Sequence, residues 1–453
     1  MSTLLIDKPE AIRFNQQTYL NQLLSQCESQ ELEIKDEWLQ KLRQQGAAFA
    51  SEANLPSKQD EAWRFTDLSE LYQIDFKLAG KATLPSFAWE SFVLPEASHT
   101  RITFVNGIYA PELSDLSELS EGIHIGNLSS LSGSQVEQIV KYLERQTDRE
   151  IFTDLNTAGL SNAAVIWTSP NAVIETPIHV LFLTIPTTTP IFSQPRVIVV
   201  AETGSRLNLV EYYSATSKYC PDVSQNYPYF TNAVTEIWLG ENAEINHSRI
   251  QRESRDCFHI GKTAITQSKN SRYTGNEINL GGKLYRQNLE IVQQGEQTET
   301  YLNGLAIVGD KQITDTHSAV LLQQPYGTVN QLHKCILDDS TNAIFNGKIS
   351  VPKAAQFTNA AQLNRNLLLS PKARVNTKPE LQITADNVKC SHGATVSQLE
   401  ADELFYLRSR GLTEVDARHL LIDAFAAEIL ERIPLKSLRQ RLVQCIACRT
   451  INS

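Results

Sequence analysis

Asn242-Ala243-Glu244-Ile245-Asn246 is the stretch on which the reading of this chain turns. Its order of a turn residue, a small residue, a charge, an aliphatic and an asparagine returns at Gly204-Ser205-Arg206-Leu207-Asn208 and at Lys372-Ala373-Arg374-Val375-Asn376. A turn residue followed by alternating side chains is a strand entry, and its loose return marks stacked rungs. Around these entries, from about Ala163 to Val388, short runs rich in Val, Ile, Thr and Tyr recur between Gly, Asn, Asp and Pro. Val180/Phe182, Val197/Val199, Leu207/Leu209, Thr235/Ile237/Leu239, Leu289/Ile291, Leu305/Ile307 and Leu381/Ile383 each alternate with a neighbour on the opposite face. Such a run without intervening helices suits a sandwich pair, a propeller or a solenoid. Irregular repetition with Asn at recurring places favours a β-helix, because a propeller blade would need a cleaner period of ~40 to 50 residues.

The flanks have a different texture. Residues 1 to 160 read as an N-terminal, mainly helical domain, 161 to 394 as the β-helix core, and 395 to 453 as a C-terminal helical domain. Trp38, Leu39, Leu42 and Phe49 form an amphipathic stripe ending before Pro56, and Val136, Ile139, Val140 and Leu143 form another within Gln135 to Arg145. Pro56 to Thr66 reads as a polar loop pinned by Trp63 and Phe65. Past Thr395, Asp402 to Gly411 begins acidic and ends basic with a glycine stop, matching the helix dipole. Leu421, Phe425, Ile429 and Ile433 then form a seam that Pro434 ends, and Leu435, Leu438, Leu442 and Ile446 form the last one. These helices either cap the sheet region or present a face to another protein.

With 453 residues, 41 Lys+Arg, 51 Asp+Glu and a net charge of -10, the chain divides into several domains and does not suit nucleic acid as a main partner. No stretch approaches the ~18 apolar residues of a membrane span, and His179 to Ile185 is among the longest candidates. Met1 to Asp7 lacks a basic region and a long apolar run, so nothing there marks secretion. Seven scattered cysteines form no disulfide framework, and the expected compartment is the reducing cytoplasm.

Chemistry concentrates at Lys389-Cys390-Ser391-His392-Gly393-Ala394-Thr395, where sheet texture gives way to helix. If the strand begins at Asp386, then Asp386, Val388, Cys390 and His392 share one face. A thiol and an imidazole so placed are half a metal site, since zinc and iron–sulfur centres need about four ligands per metal. Cys257-Phe258-His259 and His333-Lys334-Cys335 repeat the spacing; buried thiols with hydrogen-bonded imidazoles inside stacked strands are the favoured reading there. Asp315-Thr316-His317 reads as a polar ladder, and Cys445-Ile446-Ala447-Cys448 as helix packing. Gly281-Gly282-Lys283 is not a phosphate-binding loop, and no GxSxG, HExxH or kinase signature appears, so the expectation is a non-catalytic protein.

Five linked motifs carry a resemblance: Phe345 to Val351, Leu363 to Ser370, Pro379 to Ile383, Asp386 to Thr395, and Leu404 to Gly411 with Phe405, Tyr406, Leu407, Arg408, Ser409 and Arg410 between. Together with Ser57-Lys58 to Thr66 they resemble the SufB/SufD family, on its D-type side because Gly393 stands where the B-type has Glu. The resemblance implies a right-handed parallel β-helix between helical domains, a scaffold of iron–sulfur cluster assembly acting with SufB and with SufC, in which the ATPase activity resides. It further implies that the solenoid edge pairs with SufB, that Leu404 to Gly411 and Phe425 dock SufC, and that His392 and Cys390 are candidate ligands of iron or a nascent cluster shared transiently with SufB. No cofactor is expected to bind stably, and a homodimer is expected to be possible in isolation. A secreted polysaccharide-degrading β-helix enzyme and a purely structural adaptor joining SufC to SufB are the competing readings.

Overall fold

The first two echoing strand entries stack directly on one another: Arg206 pairs with Glu244, Leu207 with Ile245 and Asn208 with Asn246 in a parallel ladder. The ladder continues through Arg272, Glu299, Thr328, Asn359 and Lys389, each the register partner of the one before. In this computed structural model, residues 16–30, 36–85, 88–131, 133–143, 149–217 and 223–450 are described. Cys220, the segment Met1 to Asp7 and the end of the expected helix at Arg145 lie outside the described residues.

The strands form a parallel β-solenoid of about eight turns, with helices at both ends of the chain. Successive strands alternate between two walls. An eleven-stranded sheet runs from Arg374–Ile383 through Asn342–Val351, Ile313–Leu322, Leu284–Gln293 and Cys257–Gln267 down to Ile123–Asn127; a ten-stranded sheet runs from Lys389–Ser397 through Asn359–Leu368, Thr328–Leu337 and Glu299–Val308 down to Arg101–Val105 and Ile108–Tyr109. The third entry, Lys372 to Asn376, serves the other wall: Arg374 there pairs with Asn342. Two non-equivalent corners share one sequence pattern because both need a turn followed by the same inward and outward alternation.

One corner is itself a ladder. Gly204, Asn242, Asn270, Gln297, Tyr326 and Phe357 all have positive φ. Each donates its N–H to the next rung, to Glu241, Lys269, Glu296, Pro325, Gln356 and Asn387 respectively, so the backbone of every turn is satisfied by its neighbour. Glycine and asparagine suit the left-handed region; tyrosine and phenylalanine do not.

Burial follows the alternation. Val180, Phe182, Val197, Val199, Leu207, Leu209, Ile237, Leu239 and Ile291 fill the lumen. Leu305 and Ile307 face outward instead, into a second core under the C-terminal helices. The N-terminal helices Gln16–Glu28 and Ile151–Ala158 cover the outer face of the eleven-stranded wall through Phe192, Phe230, Phe258 and Leu284. The helices Glu414–Leu430 and Lys436–Thr450 lie along the ten-stranded wall and do not cap the solenoid. Their buried seam is Ile422, Ala426, Ile429, Leu430 and Ile433, with Leu435, Leu438, Leu442 and Ile446 beyond. The expected seam through Leu421 and Phe425 is thus turned by one residue, because Ala426 lets the helix approach the sheet while the larger Phe425 packs at its margin. Phe65 is exposed, and of the two aromatics in its loop Trp63 is the buried one. No helix is long and apolar enough to cross a membrane among the described residues.

Candidate functional site

Cys390 and His392 stand on Lys389–Ser397, the last strand of the ten-stranded wall. The strand begins at Lys389; Asp386 and Asn387 form the bend before it, so Asp386 does not share the face of the two donors. Cys390 pairs with Ala360 and packs against the lumen core, and His392 pairs with Gln362. By period 2 both side chains enter the lumen. Below them Gln362 donates to Gln331 (2.8 Å), which donates to Ser318 on the facing wall (2.8 Å). His392 therefore tops an internal polar column. Among the described residues nothing covers that rung: His392 is exposed, as are Val396 on the same strand and Ile383 on the last strand of the other wall. Burial pushes the Cys390 thiol up, only partly offset by a hydrogen bond with the Ala360 backbone. Lys389 points to the outer side and gives the thiol no contact that would favour its anion.

Among the described residues no three His, Cys, Asp or Glu side chains converge as a metal ion would require. The other pairs sit apart. Cys257 and His259 are fully buried, the imidazole held between Glu253 (2.6 Å) and Arg249 (2.7 Å). His333 stacks on Phe345 at 4.9 Å, and burial pushes the thiol of its neighbour Cys335 up to about 12. Cys445 is buried in the helix core and Cys448 is exposed.

The helix Ala401–Ser409 buries none of its residues; Phe405 is 73% and Tyr406 56% exposed. Leu404 and Leu407 are half-buried, and Arg408, Ser409 and Arg410 are exposed. Arg410 lies over the Tyr406 ring, and Gly411 ends the turn at φ 97°. Phe425 is used within the chain: Lys334 sits 4.4 Å from its ring and donates to its carbonyl (2.9 Å). It is half-buried there.

Two features escaped the sequence. The lumen carries a buried charge network in which Glu211 accepts from Tyr213 and Thr235 and lies 3.2 Å from His247 and 3.4 Å from Arg249. Arg249 donates in turn to Tyr285, whose hydroxyl donates to Glu277. Their polarity suggests the outside, but alternation places Glu211 on the face of Leu207 and Leu209, and that parity is the signal that could have found them. The second feature is the anchorage of Glu61 to Thr66 on the eleven-stranded wall. Trp63 covers Arg286 at 4.1 Å, Arg286 pairs with the fully buried Asp315, and Thr66 donates to the same carboxylate. His317 meets the other Asp315 oxygen at 3.0 Å.

Two family profiles match this chain: "SUF system FeS cluster assembly, SufBD core domain" over residues 184–425 and "SufBD protein N-terminal region" over residues 14–180. An iron–sulfur cluster assembly SufBD family protein of Synechocystis is 55% identical over 92% of this chain and 92% of its own length. A chloroplastic Arabidopsis thaliana protein, ABCI7, is 34% identical over 89% of this chain and 84% of its own. The iron–sulfur cluster assembly protein SufD of Escherichia coli is 29% identical over 87% and 89%.

Proposed function

The chain belongs to the SufBD family of iron–sulfur cluster assembly proteins, and from that premise we propose that it is the D-type scaffold subunit, acting beside SufB and the ATPase SufC. One observation carries the reading: among the described residues the last rung is left open, with a thiol and an imidazole on its inner face and strand edges unpaired on both walls. An unpaired parallel edge seeks another strand. Two donor atoms do not satisfy iron, so the remaining ligands come from the protein that covers the rung. In this reading SufB lies edge to edge against Lys389–Ser397 and Arg374–Ile383, and iron or a nascent cluster is a shared, transient substrate of Cys390 and His392. The exposed face of Ala401–Ser409, led by Phe405 and Tyr406, takes SufC. ATP hydrolysis stays in SufC, and this chain contributes no catalysis. A reducing compartment such as the cytoplasm suits it, since no disulfide forms among the described cysteines.

Anaerobic reconstitution with both partners tests the assignment. His392→Ala is expected to reduce iron and acid-labile sulfide recovered in the complex several-fold while leaving its stoichiometry intact. Full cluster recovery with that variant removes the ligand role and leaves the purely structural adaptor.

A further inference from the structure

A cavity of about 540 Å³ lies between the Glu61–Thr66 segment and the outer face of the eleven-stranded wall, remote from the open inner face that holds Cys390. Its size falls in the range of sites that enclose a small organic molecule, roughly 300–1,000 Å³. The walls combine apolar surface with few polar groups. Phe65 is 48% exposed beside it, although its neighbour Trp63 is buried, and the guanidinium of Arg64 lies 5.7 Å from the Phe65 ring. Lys378 is neutralised by Glu61 (2.9 Å) and Glu380 (3.2 Å), which leaves Arg64 as the cation available at the rim.

The floor is set by Asp315. Burial would raise its carboxyl, but Arg286 and His317 outweigh that and hold it below the usual carboxylate range. Nε2 of His317 lies 3.0 Å from Asp315, which orients the ring and leaves Nδ1 as its second polar atom.

We propose that this cavity binds a flat heteroaromatic molecule bearing an anionic substituent, with its ring against Phe65, a hydrogen-bonding edge toward His317, and its charge toward Arg64. Titration calorimetry on the full chain tests it with AMP and pyridoxamine 5′-phosphate as probes, and with inorganic phosphate and ribose 5-phosphate as ringless controls. At least one ringed probe is expected to bind one to one. Phe65→Ala and Arg64→Ala, both at exposed positions that leave the fold intact, are each expected to weaken it at least about tenfold, a loss near 1.4 kcal/mol. His392→Ala is expected to leave it unchanged. Absence of binding by either ringed probe up to millimolar concentration overturns the proposal, as does equal binding of the ringless phosphates or indifference to both substitutions. None of these outcomes bears on the cluster-assembly reading.

Discussion

The Cys390 thiol is half-buried and pushed up by that burial, so at neutral pH it is protonated and any metal bound there would have to displace its proton. Its alkylation by iodoacetamide in the isolated chain is expected to follow a pH profile with a midpoint above that of an unstructured peptide thiol. A midpoint below the peptide's would show an activating group that the geometry lacks. Glu211 titrates in the opposite sense. Burial opposes its charge, but hydrogen bonding to His247 and the charges of His247 and Arg249 hold it at about 2, against 4.5 for the free side chain. The folded-state value is depressed, so the stability this group contributes is present above pH 4.5 and is lost as pH falls toward about 2. Glu211→Gln is expected to cost roughly 3–5 kcal/mol at pH 7, since Arg249 and His247 then lose a buried partner. The variant should also show a shallower decline of stability between pH 5 and 3 in urea titrations; an undiminished slope would place the acid sensitivity elsewhere.

At the scale of elements, Tyr326 and Phe357 occupy left-handed turn positions that Gly204, Asn242 and Asn270 fill on other rungs. Two such residues cost about 2–4 kcal/mol together, while the one stacked ring pair, 5.1 Å apart, returns about 0.5–1.5. Strain outweighs stacking. Tyr326→Asn with Phe357→Asn relieves part of that strain and is therefore expected to raise the unfolding free energy by about 1 kcal/mol. A loss by chemical denaturation would mean that the exposed rings pack more firmly than their surfaces imply. Strand existence was legible throughout, because Leu207, Ile237 and Ile291 keep the inward period. The assignment of strands to walls was not, since Asn242 and Lys372 open different corners with the same local pattern and the rungs between register partners are unequal in length. Helix rotation was missed by one residue at Phe425, because small alanines at 417 and 426 face the sheet and give no hydrophobic signal. The docking of Trp63 on Arg286 joins residues so distant in sequence that no local pattern encodes it.

Over the whole molecule, helices cover part of each outer wall and, among the described residues, leave the last rung bare, so its backbone edge is available for association. Lys389 donates its N–H to Thr358 (2.9 Å), toward the preceding rung. In a parallel ladder alternate residues turn their backbone groups to opposite neighbours, so those of Cys390, His392, Ala394 and Val396 face the open side. Proline at one of these positions removes an outward donor and no bond within the chain, the circumstance in which edge strands tolerate it. Ala394→Pro is thus expected to keep the parent melting temperature while weakening association with a SufB partner, or with a second copy in its absence, by at least about tenfold. Ala394→Ser, equally exposed but with its N–H intact, should associate as the parent does. Native mass spectrometry over a dilution series separates the two. If the proline variant pairs as tightly as the serine variant while remaining folded, the rung is covered by side-chain contacts alone. Cys390 and His392 would then lack the continuous ladder needed to bring a partner's ligands into register with their own.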